Sequence, residues 1–351
     1  MMKRIYKRSY NFHNMEGVIS LKKKLLFGLA LSLIVLSLSA CSGGKDSDSY
    51  KVAISQYVEH PSLNAVYDGI IDALAEAGIK EGDNLVIDFQ NAQNDFNNVQ
   101  PISQKIKEGN PDVAVGIATP SAIGLVDEIT ETPVVFAAVT DPIAEKLVPS
   151  LESPGGNVTG ASDSNPEAVE SLMDFIANEF STVKKVGIVI NEGEPNAVVM
   201  AATAEARLAT HGIELVRAPI VNNSDVQIAA QSLVGKVDAI YITLDNSVVE
   251  AVDTIIQIAY DNDIPFFSSD RDTVEAGAFA TVGFKYYDHG YQAGQMIVDI
   301  LKNGKNPGDL TVTKPENLDF IINTKAASEM GIEVTDAMKA YVKDPVNNIL
   351  E

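Results

Sequence analysis

The chain has 351 residues, of which 46% are apolar and 21% charged, so it can fold as about two ordinary domains with a sizeable core. Its formal net charge of −22 repels phosphate backbones, which argues against a nucleic-acid partner. A single cysteine excludes both a disulfide framework and a multi-cysteine metal site.

Residues 1–40 have the form of a secretion signal. Three lysines at 22–24 precede an uncharged run of about 16 residues, which is shorter than the ~20 residues of a comfortable membrane span. The tetrad Leu38–Cys41 resembles the lipobox of bacterial lipoproteins. That resemblance implies that Cys41 is lipidated and that the protein reaches the membrane through a lipid anchor only; the alternative is an ordinary signal followed by a buried free cysteine. Residues 42–49 are predicted to form a flexible polar tether.

The folded part is predicted to begin near Tyr50 and to contain one strand–helix unit twice. In the first copy, an apolar strand at 51–54 precedes a proline, a helical pattern and a closing glycine. The same features recur 134 residues later. The matching pairs are Val52 and Val186, Ile54 and Ile188, Pro61 and Pro195, and Gly78 and Gly212. Four matches in register indicate a duplicated structural unit.

Further apolar strands alternate with helical patterns in both halves. They are predicted at 111–118, 132–136, 237–244 and 263–267. Near-continuous apolar strands that alternate with helices are typical of parallel sheets covered on both faces. The sequence therefore predicts an α/β fold of two doubly wound parallel-sheet lobes, with polar strand-end loops from both lobes facing a central cleft.

Signatures of catalysis and of cofactor binding are missing from the sequence. No G-x-G-x-x-G follows a strand, no H-E-x-x-H or G-x-S-x-G is present, and the glycines at 155–160 lack the lysine of a P-loop. We therefore expect binding without catalysis, with no cofactor and no metal. A histidine-free hydrolase built on carboxylates is the alternative.

Four stretches carry a resemblance to a known family. They are Ile117–Ala122, Ala138–Pro142, Gly156–Gly160 with Ser162-Asp163, and Gly277–Tyr287. They resemble the substrate-binding lipoproteins of ABC importers, in particular those for tryptophan and other aromatic amino acids. The resemblance implies a fold like that of type I periplasmic binding proteins.

The resemblance also implies several crossings between the lobes. We place them near Gly160–Asp163, Val282–Tyr286 and Leu318–Asn323. Lobe 1 is then formed by residues 50–161 and 286–317, and lobe 2 by residues 162–285 and 318–345. Several crossings permit a hinge closure that sequesters a ligand.

Binding a free amino acid requires groups for a carboxylate, an ammonium and a side chain. Thr119 and Ser121, where a strand gives way to a helix, are the candidates for the carboxylate, or else they only cap the helix. Candidates for the ammonium are acids at strand ends, together with polar residues of the second lobe. These are Asp141, Asp245 and Asp270, with Glu194, Asn196 and Asn246. Each of the strand-end acids could instead serve only as the N-cap of a helix. Tyr57 and Phe284 are the predicted aromatic walls, whereas Phe136, Tyr241, Phe266 and Phe267 are predicted to belong to the lobe cores.

These features together predict a monomeric lipoprotein on the outer face of the bacterial cytoplasmic membrane. It is predicted to capture a small molecule, with the aromatic amino acids tryptophan, phenylalanine and tyrosine as the leading candidates, and to deliver it to an ABC permease. Two alternatives stay open: a nucleoside- or sugar-type ligand for an ABC importer, and a ligand sensor for a signalling partner. An acidic helix face formed by Asp68, Asp72 and Glu76 is either a solvated surface or part of the permease docking surface.

Overall fold

The computed structural model describes residues 49–163, 165–315 and 317–351. Its strands and helices alternate along the chain and form two sheets. The predicted signal segment, Cys41 and all but the last residue of the predicted tether lie outside the described residues.

The first sheet has five parallel strands in the order β2-β1-β3-β4-β5. The strands are β1 (Tyr50–Gln56), β2 (Leu85–Asn91), β3 (Val113–Ile117), β4 (Val134–Val139) and β5 (Val158–Ser162). The helices that alternate with them are α1 (Pro61–Glu76), α2 (Phe96–Glu108) and α3 (Thr119–Glu128). The central strands β3 and β4 are buried throughout, as expected of a sheet covered on both faces.

The second sheet has seven strands in the order β12-β11-β10-β9-β8-β6-β7, and only the β10–β11 pair is antiparallel. Its strands are β6 (Lys185–Asn191), β7 (Glu214–Ile220), β8 (Ala239–Ile242), β9 (Phe266–Ser268), β10 (Ala280–Gly283), β11 (Asp319–Asn323) and β12 (Ile349–Leu350). Its helices are α4 (Pro166–Glu179), α5 (Pro195–Thr210), α6 (Val226–Leu233), α7 (Asn246–Glu250), α8 (Val252–Asp261), α9 (Arg271–Ala276), α11 (Thr324–Glu329), α12 (Asp336–Lys339) and α13 (Pro345–Asn348). Helix α10 (Tyr286–Asn303) returns to the first lobe, and short 3₁₀ turns lie at Asn223–Asp225 and Pro307–Asp309.

The predicted repeat is present in both lobes. Helices α1 and α5 each have 16 residues and begin at a proline, whose missing N–H costs nothing in the first turn. Gly78 and Gly212 follow them with φ of +78° and +71°, a conformation that favours glycine. Each helix therefore starts and stops by the same local signals, as the sequence predicts.

Three passages join the lobes. They lie between Ser162 and Pro166, between Gly283 and Tyr286, and between Thr313 and Asp319. The third differs from the expected position near Leu318–Asn323, because Asp319–Asn323 forms strand β11 and pairs with β10 inside the second sheet. The second sheet also continues to Leu350, beyond the predicted end of lobe 2.

Each lobe has its own hydrophobic core. Phe136 is fully buried in the first lobe, and Tyr241, Phe266 and Phe267 are fully buried in the second, so their assignment to the cores is confirmed. Phe267 packs edge to face against Phe175, which lies on α4 and is also fully buried. Separate cores let each lobe behave as one rigid unit.

Helices α1 and α10 cross at unusually close range. A Cβ built on Gly290 would lie 2.1 Å from the carbonyl oxygen of Val66, so only glycine permits this approach. Along the same crossing, Tyr287 Oη donates to Asp72 Oδ2 over 2.8 Å, and Tyr291 Oη donates to Glu76 Oε2 over 2.6 Å. Two acids of the acidic face therefore bind tyrosines of the same lobe while staying exposed. Among the described residues, no helix combines the length and the apolar character needed to span a membrane.

Candidate functional site

The strand-end loops of the two lobes meet face to face. Ser62 Oγ of lobe 1 donates to Asp270 Oδ2 of lobe 2 over 2.6 Å. Toward the opposite edge, Asn94 Nδ2 donates to Glu250 Oε2 over 2.7 Å, and Asn94 Oδ1 lies 3.0 Å from Ser247 Oγ. The predicted convergence of the loops is therefore confirmed, and the lobes are in contact across the cleft.

A small cavity of about 20 Å³ remains between the lobes. That volume holds about one water molecule. Lobe 1 contributes His60, Ser62, Leu63, Thr119, Ala138 and Thr140, lobe 2 contributes Asn196, Leu244, Asn246, Val249 and Asp270, and the passages contribute Asp163 and Tyr286.

On the lobe 1 side, two helices begin at the cavity without a side-chain cap. The N-cap residues are His60 for α1 and Ala118 for α3. The hydroxyls of Thr119 and Ser121 do not cap α3: Thr119 Oγ1 accepts from the N–H of Thr140, and Ser121 Oγ accepts from Ser55 Oγ. Uncapped N-termini leave backbone N–H donors and the positive ends of two helix dipoles near the cavity.

Two carboxylates line the cavity, one from lobe 2 and one from the first passage. Asp270 caps α9 by accepting from the N–H of Asp272, and it also accepts from Thr273 Oγ1. Asp163, in the first passage, accepts from Thr140 Oγ1 over 3.2 Å. Burial, with a further contribution from nearby Asp270, raises the pKa of Asp163 to about 7. Burial likewise raises the pKa of Asp270. No lysine or arginine lines this cavity among the described residues, so its side-chain charge is purely negative.

A buried pair of carboxyl groups supports the lobe 2 loop. Glu194 accepts from the N–H groups of Asn246 and Ser247 over 3.0 and 2.9 Å, and from both of their side chains. Asp245 accepts from the N–H of Asn191 over 2.6 Å and caps α7 through Val248. Burial and the neighbouring Glu194 raise the pKa of Asp245 well above its usual value. The pair thus holds the loop that presents Asn246 to the cavity.

Four predicted site residues line the cavity. They are Thr119, Asn196, Asn246 and Asp270. Four others are buried behind or beside its wall. They are Tyr57, Ser121, Glu194 and Asp245. Asp245 and Asp270 are also N-caps, the alternative that the sequence left open.

Two predicted site residues lie away from the cavity. Asp141 is half-buried and accepts from the N–H groups of Ile143 and Ala144, so its carboxylate closes a local turn beside a separate groove of about 160 Å³. Phe284 lines another pocket, of about 230 Å³, and packs on Tyr286 with ring centroids 4.9 Å apart. Neither residue lines the central cavity of this structure, because local N–H groups hold one and aromatic neighbours hold the other, and ligand contact stays a prediction for both.

Nine of the thirteen residues that line the cavity were not predicted as site residues, and four of the nine lie at positions that the sequence marks for another reason. His60 and Ser62 flank Pro61, the predicted helix start, and Asp163 and Tyr286 lie within the predicted crossings. A residue at a crossing lies between the two lobes, so its position in a predicted crossing could have identified it as a cavity residue. Among the described residues, no group of three histidine, cysteine or acidic side chains could hold a metal ion.

Two α/β lobes that close on a polar cavity at their strand ends define a binding protein of the bilobal, periplasmic type. The family described as ABC transporter substrate binding protein matches residues 51–345 of this chain. The chain therefore belongs to that family.

Relatives of this chain include proteins named for their ligands. A tyrosine-binding protein from Clostridioides difficile is 36% identical over 344 residues, which cover 94% of this chain and 99% of the relative. The structure of an ABC domain in complex with L-Trp from Streptococcus pneumonia is 33% identical, covers 84% of this chain and 99% of its own, and has a TM-score of 0.79.

A third relative differs in conformation. The ligand-free, open structure of a substrate-binding protein with adhesive properties from Clostridium difficile is 34% identical, covers 86% of this chain and 98% of its own, and has a TM-score of 0.62. At almost equal identity, this chain is thus more similar to the L-Trp complex than to the open structure. That order agrees with the hydrogen bonds that join its two lobes.

Proposed function

We propose that this protein captures an aromatic amino acid as a zwitterion between its lobes and delivers it to an ABC permease. One observation carries the proposal: the cavity has uncapped helix N-termini on the lobe 1 side and buried carboxylates from lobe 2 and from the first passage. A zwitterion presents one anion and one cation at a fixed separation, so it matches both walls at once.

The ligand carboxylate is assigned to lobe 1. The N-terminus of α3 provides backbone N–H donors there, and Thr119 Oγ1 lies on the same wall. The ligand ammonium is assigned to Asp163 and Asp270, because a buried carboxylate without a cationic partner gains most from a bound cation. Tyr286, on the same wall, contributes an aromatic face.

Entry of the ligand requires the lobes to separate. A space of about 20 Å³ is far too small for an amino acid with an aromatic ring. The ligand therefore binds to an open form, and bending at the three passages then closes the lobes around it. The names of the tyrosine-binding and L-Trp-bound relatives support an aromatic side chain as the occupant.

Outside the described residues, the sequence supports a membrane-anchored location. The Leu38–Cys41 tetrad favours lipidation of Cys41 on the extracytoplasmic side, where an ABC permease collects its substrate. Binding and release without turnover complete the proposed role.

The test is a titration of the purified protein with L-tryptophan, L-tyrosine and L-phenylalanine. The chain contains no tryptophan, so any change in indole emission or anisotropy comes from the ligand. Calorimetry supplies the affinities for the other two. Saturating ligand at about 100 times its dissociation constant should add about 2.7 kcal/mol to the free energy of unfolding.

Two matched variants locate the site. Asp270→Asn keeps a good N-cap but removes the charge that binds the ammonium, so affinity should fall by about 10- to 150-fold, from the 1.5–3 kcal/mol of a charged hydrogen bond. Asp141→Asn makes the same change outside the cavity and should bind like the wild type. If none of the three amino acids binds while a sugar or nucleoside does, the proposal is wrong.

A further inference from the structure

We propose that His60 selects ligands whose aromatic ring carries a hydrogen-bond donor, so that phenol and indole side chains bind in preference to phenyl. The inference rests on the proposed function and adds which end of the cavity holds the ring and what that end recognises.

Two separate sets of hydrogen bonds surround the cavity. In the first set, Asp163 binds Thr140, and Asp270 binds Ser62. In the second set, Asn196 Nδ2 donates to the carbonyl of Leu244 over 2.7 Å, and His60 Nε2 lies 3.5 Å from Asn246 Oδ1. Both carboxylates that line the cavity belong to the first set, where the ammonium is assigned, so we assign the ligand side chain to the second set and call it the His60 end.

The neighbours of His60 fix which of its ring nitrogens carries the proton. Burial lowers the pKa of His60 to about 4, so the ring is neutral at pH 7 and has one N–H. Asn246 Nδ2 donates to Glu194 Oε2 over 2.7 Å, which turns Asn246 Oδ1 toward His60. Because that oxygen only accepts, its 3.5 Å contact with Nε2 favours the tautomer that is protonated at Nε2. In that tautomer Nδ1 is an acceptor without a proton.

Among the described residues, His60 Nδ1 is buried and has no hydrogen-bond partner. Asn196 Oδ1 is a second buried acceptor of this kind, and the orientation of its amide is fixed because Nδ2 donates to Glu194 and to the carbonyl of Leu244. The side chains of His60 and Asn196 are more than nine-tenths buried. A buried acceptor that is left unpaired lowers stability by about 1–3 kcal/mol, so a ligand that donates a hydrogen bond to either atom gains affinity.

The walls around these acceptors are apolar. Leu63, Leu244 and Val249 line the same cavity. Apolar walls beside two unpaired acceptors suit a ring that carries one N–H or O–H. Two acceptors at different positions allow the donor to lie at the tip of the ring, as in phenol, or on its side, as in indole. Phenyl leaves both acceptors unpaired, and the site discriminates against it for that reason.

The first measurement is the affinity of the wild-type protein for the three aromatic amino acids by calorimetry. L-tyrosine or L-tryptophan should bind about 5- to 150-fold more tightly than L-phenylalanine, which is the fold-change that corresponds to the cost of one unpaired buried acceptor. Equal affinities for all three would overturn the inference and leave the proposed function intact. Absence of all binding would overturn both.

Two His60 variants then separate recognition from folding. His60→Leu removes the acceptor and should weaken the ligand with the ring donor while leaving L-phenylalanine within about threefold, so the preference disappears. His60→Asn keeps an oxygen acceptor close to the position of Nδ1 and should retain most of the preference. If His60→Leu weakens all three ligands equally, the ammonium rather than the ring lies at this end, and the inference is wrong.

A spectroscopic measurement on the wild-type protein does not depend on any variant folding. The ¹⁵N shifts of the His60 ring, assigned by comparison with His60→Asn or by sequential assignment, should show the Nε2–H tautomer at pH 7. The Nδ1 resonance should move when L-tyrosine binds and stay in place with L-phenylalanine. A ring protonated at Nδ1 contradicts the proposal directly.

Discussion

Asp163→Asn should stabilise the ligand-free protein and weaken ligand binding at the same time. The Asp163 side chain is 6% exposed and has Asp270 rather than a cation near it, so ionising it in the closed protein is unfavourable. A residue that only supports the fold should stabilise it. A residue that lowers stability but binds the ligand ammonium serves binding instead.

The size of the effect follows from the pKa of Asp163, which burial raises from its ordinary value of 3.8 to about 7. Between these two values the folded protein holds more protons than the unfolded chain, so stability falls as the pH rises through this window. Each pH unit corresponds to about 1.4 kcal/mol, which gives a penalty on the order of 4 kcal/mol above pH 7 and none below pH 4. Asparagine carries no charge, so Asp163→Asn recovers this free energy at pH 8.

The assay is denaturant unfolding of wild type and variant at pH 4.5 and pH 8, without ligand. We expect a stability gain for Asp163→Asn at pH 8 that shrinks strongly at pH 4.5. Asp319→Asn is the control of opposite sign: burial acts to raise the pKa of Asp319, but hydrogen bonds from the N–H groups of Lys343 and Asp344 and from the Asn348 amide outweigh this and lower it. That variant should be less stable than wild type at pH 8. A loss of stability for Asp163→Asn at pH 8 would refute the reasoning.

Two more predictions concern proton linkage and helix packing. Near pH 6.5 a bound ammonium should favour the ionised form of Asp163, so ligand binding should release a proton. Calorimetry detects this proton as a binding heat that varies with the ionisation enthalpy of the buffer. A binding heat that is independent of the buffer would show that Asp163 does not bind the ammonium. Gly290→Ala puts a Cβ 2.1 Å from the Val66 carbonyl oxygen, which forces α10 outward by about 0.9 Å to reach a 3.0 Å contact. The cost of about 1–3 kcal/mol should lower the melting temperature by several degrees. The control Gly283→Ala should not lower it, because the nearest neighbours of its Cβ lie 3.5 Å away or farther. An unchanged melting temperature in Gly290→Ala would mean that α10 shifts freely.

Predictions from the sequence were correct for features that depend on residues close together in the chain. The helix that begins at Pro61 and is closed by Gly78, and its copy that begins at Pro195, follow from residues a few positions apart, and both are present. Residues within apolar strands, such as Phe136, were placed in the core correctly because nearly continuous apolar strands are buried on both faces.

Prediction of the site was less complete, because a strand-end acid has several possible partners. Asp141 and Asp270 both follow strands, yet Asp141 binds the N–H groups of its own turn and Asp270 reaches across the cleft to Ser62. Nothing near either residue in the sequence distinguishes the two outcomes. His60 and Asp163 were missed because their role depends on residues far away in the chain.

The order of residues alone determined the alternation of strands and helices, the duplicated unit and the polar character of the strand ends, because these depend on backbone conformation and on short-range patterns of burial. Only the tertiary structure decided which polar atoms share the cavity and which of them stay unpaired. A hydrogen bond between Ser62 and Asp270 joins residues 208 positions apart, and its existence depends on how two independently packed lobes meet. The chemistry of the cleft is therefore set by the orientation of the lobes, which no local pattern encodes.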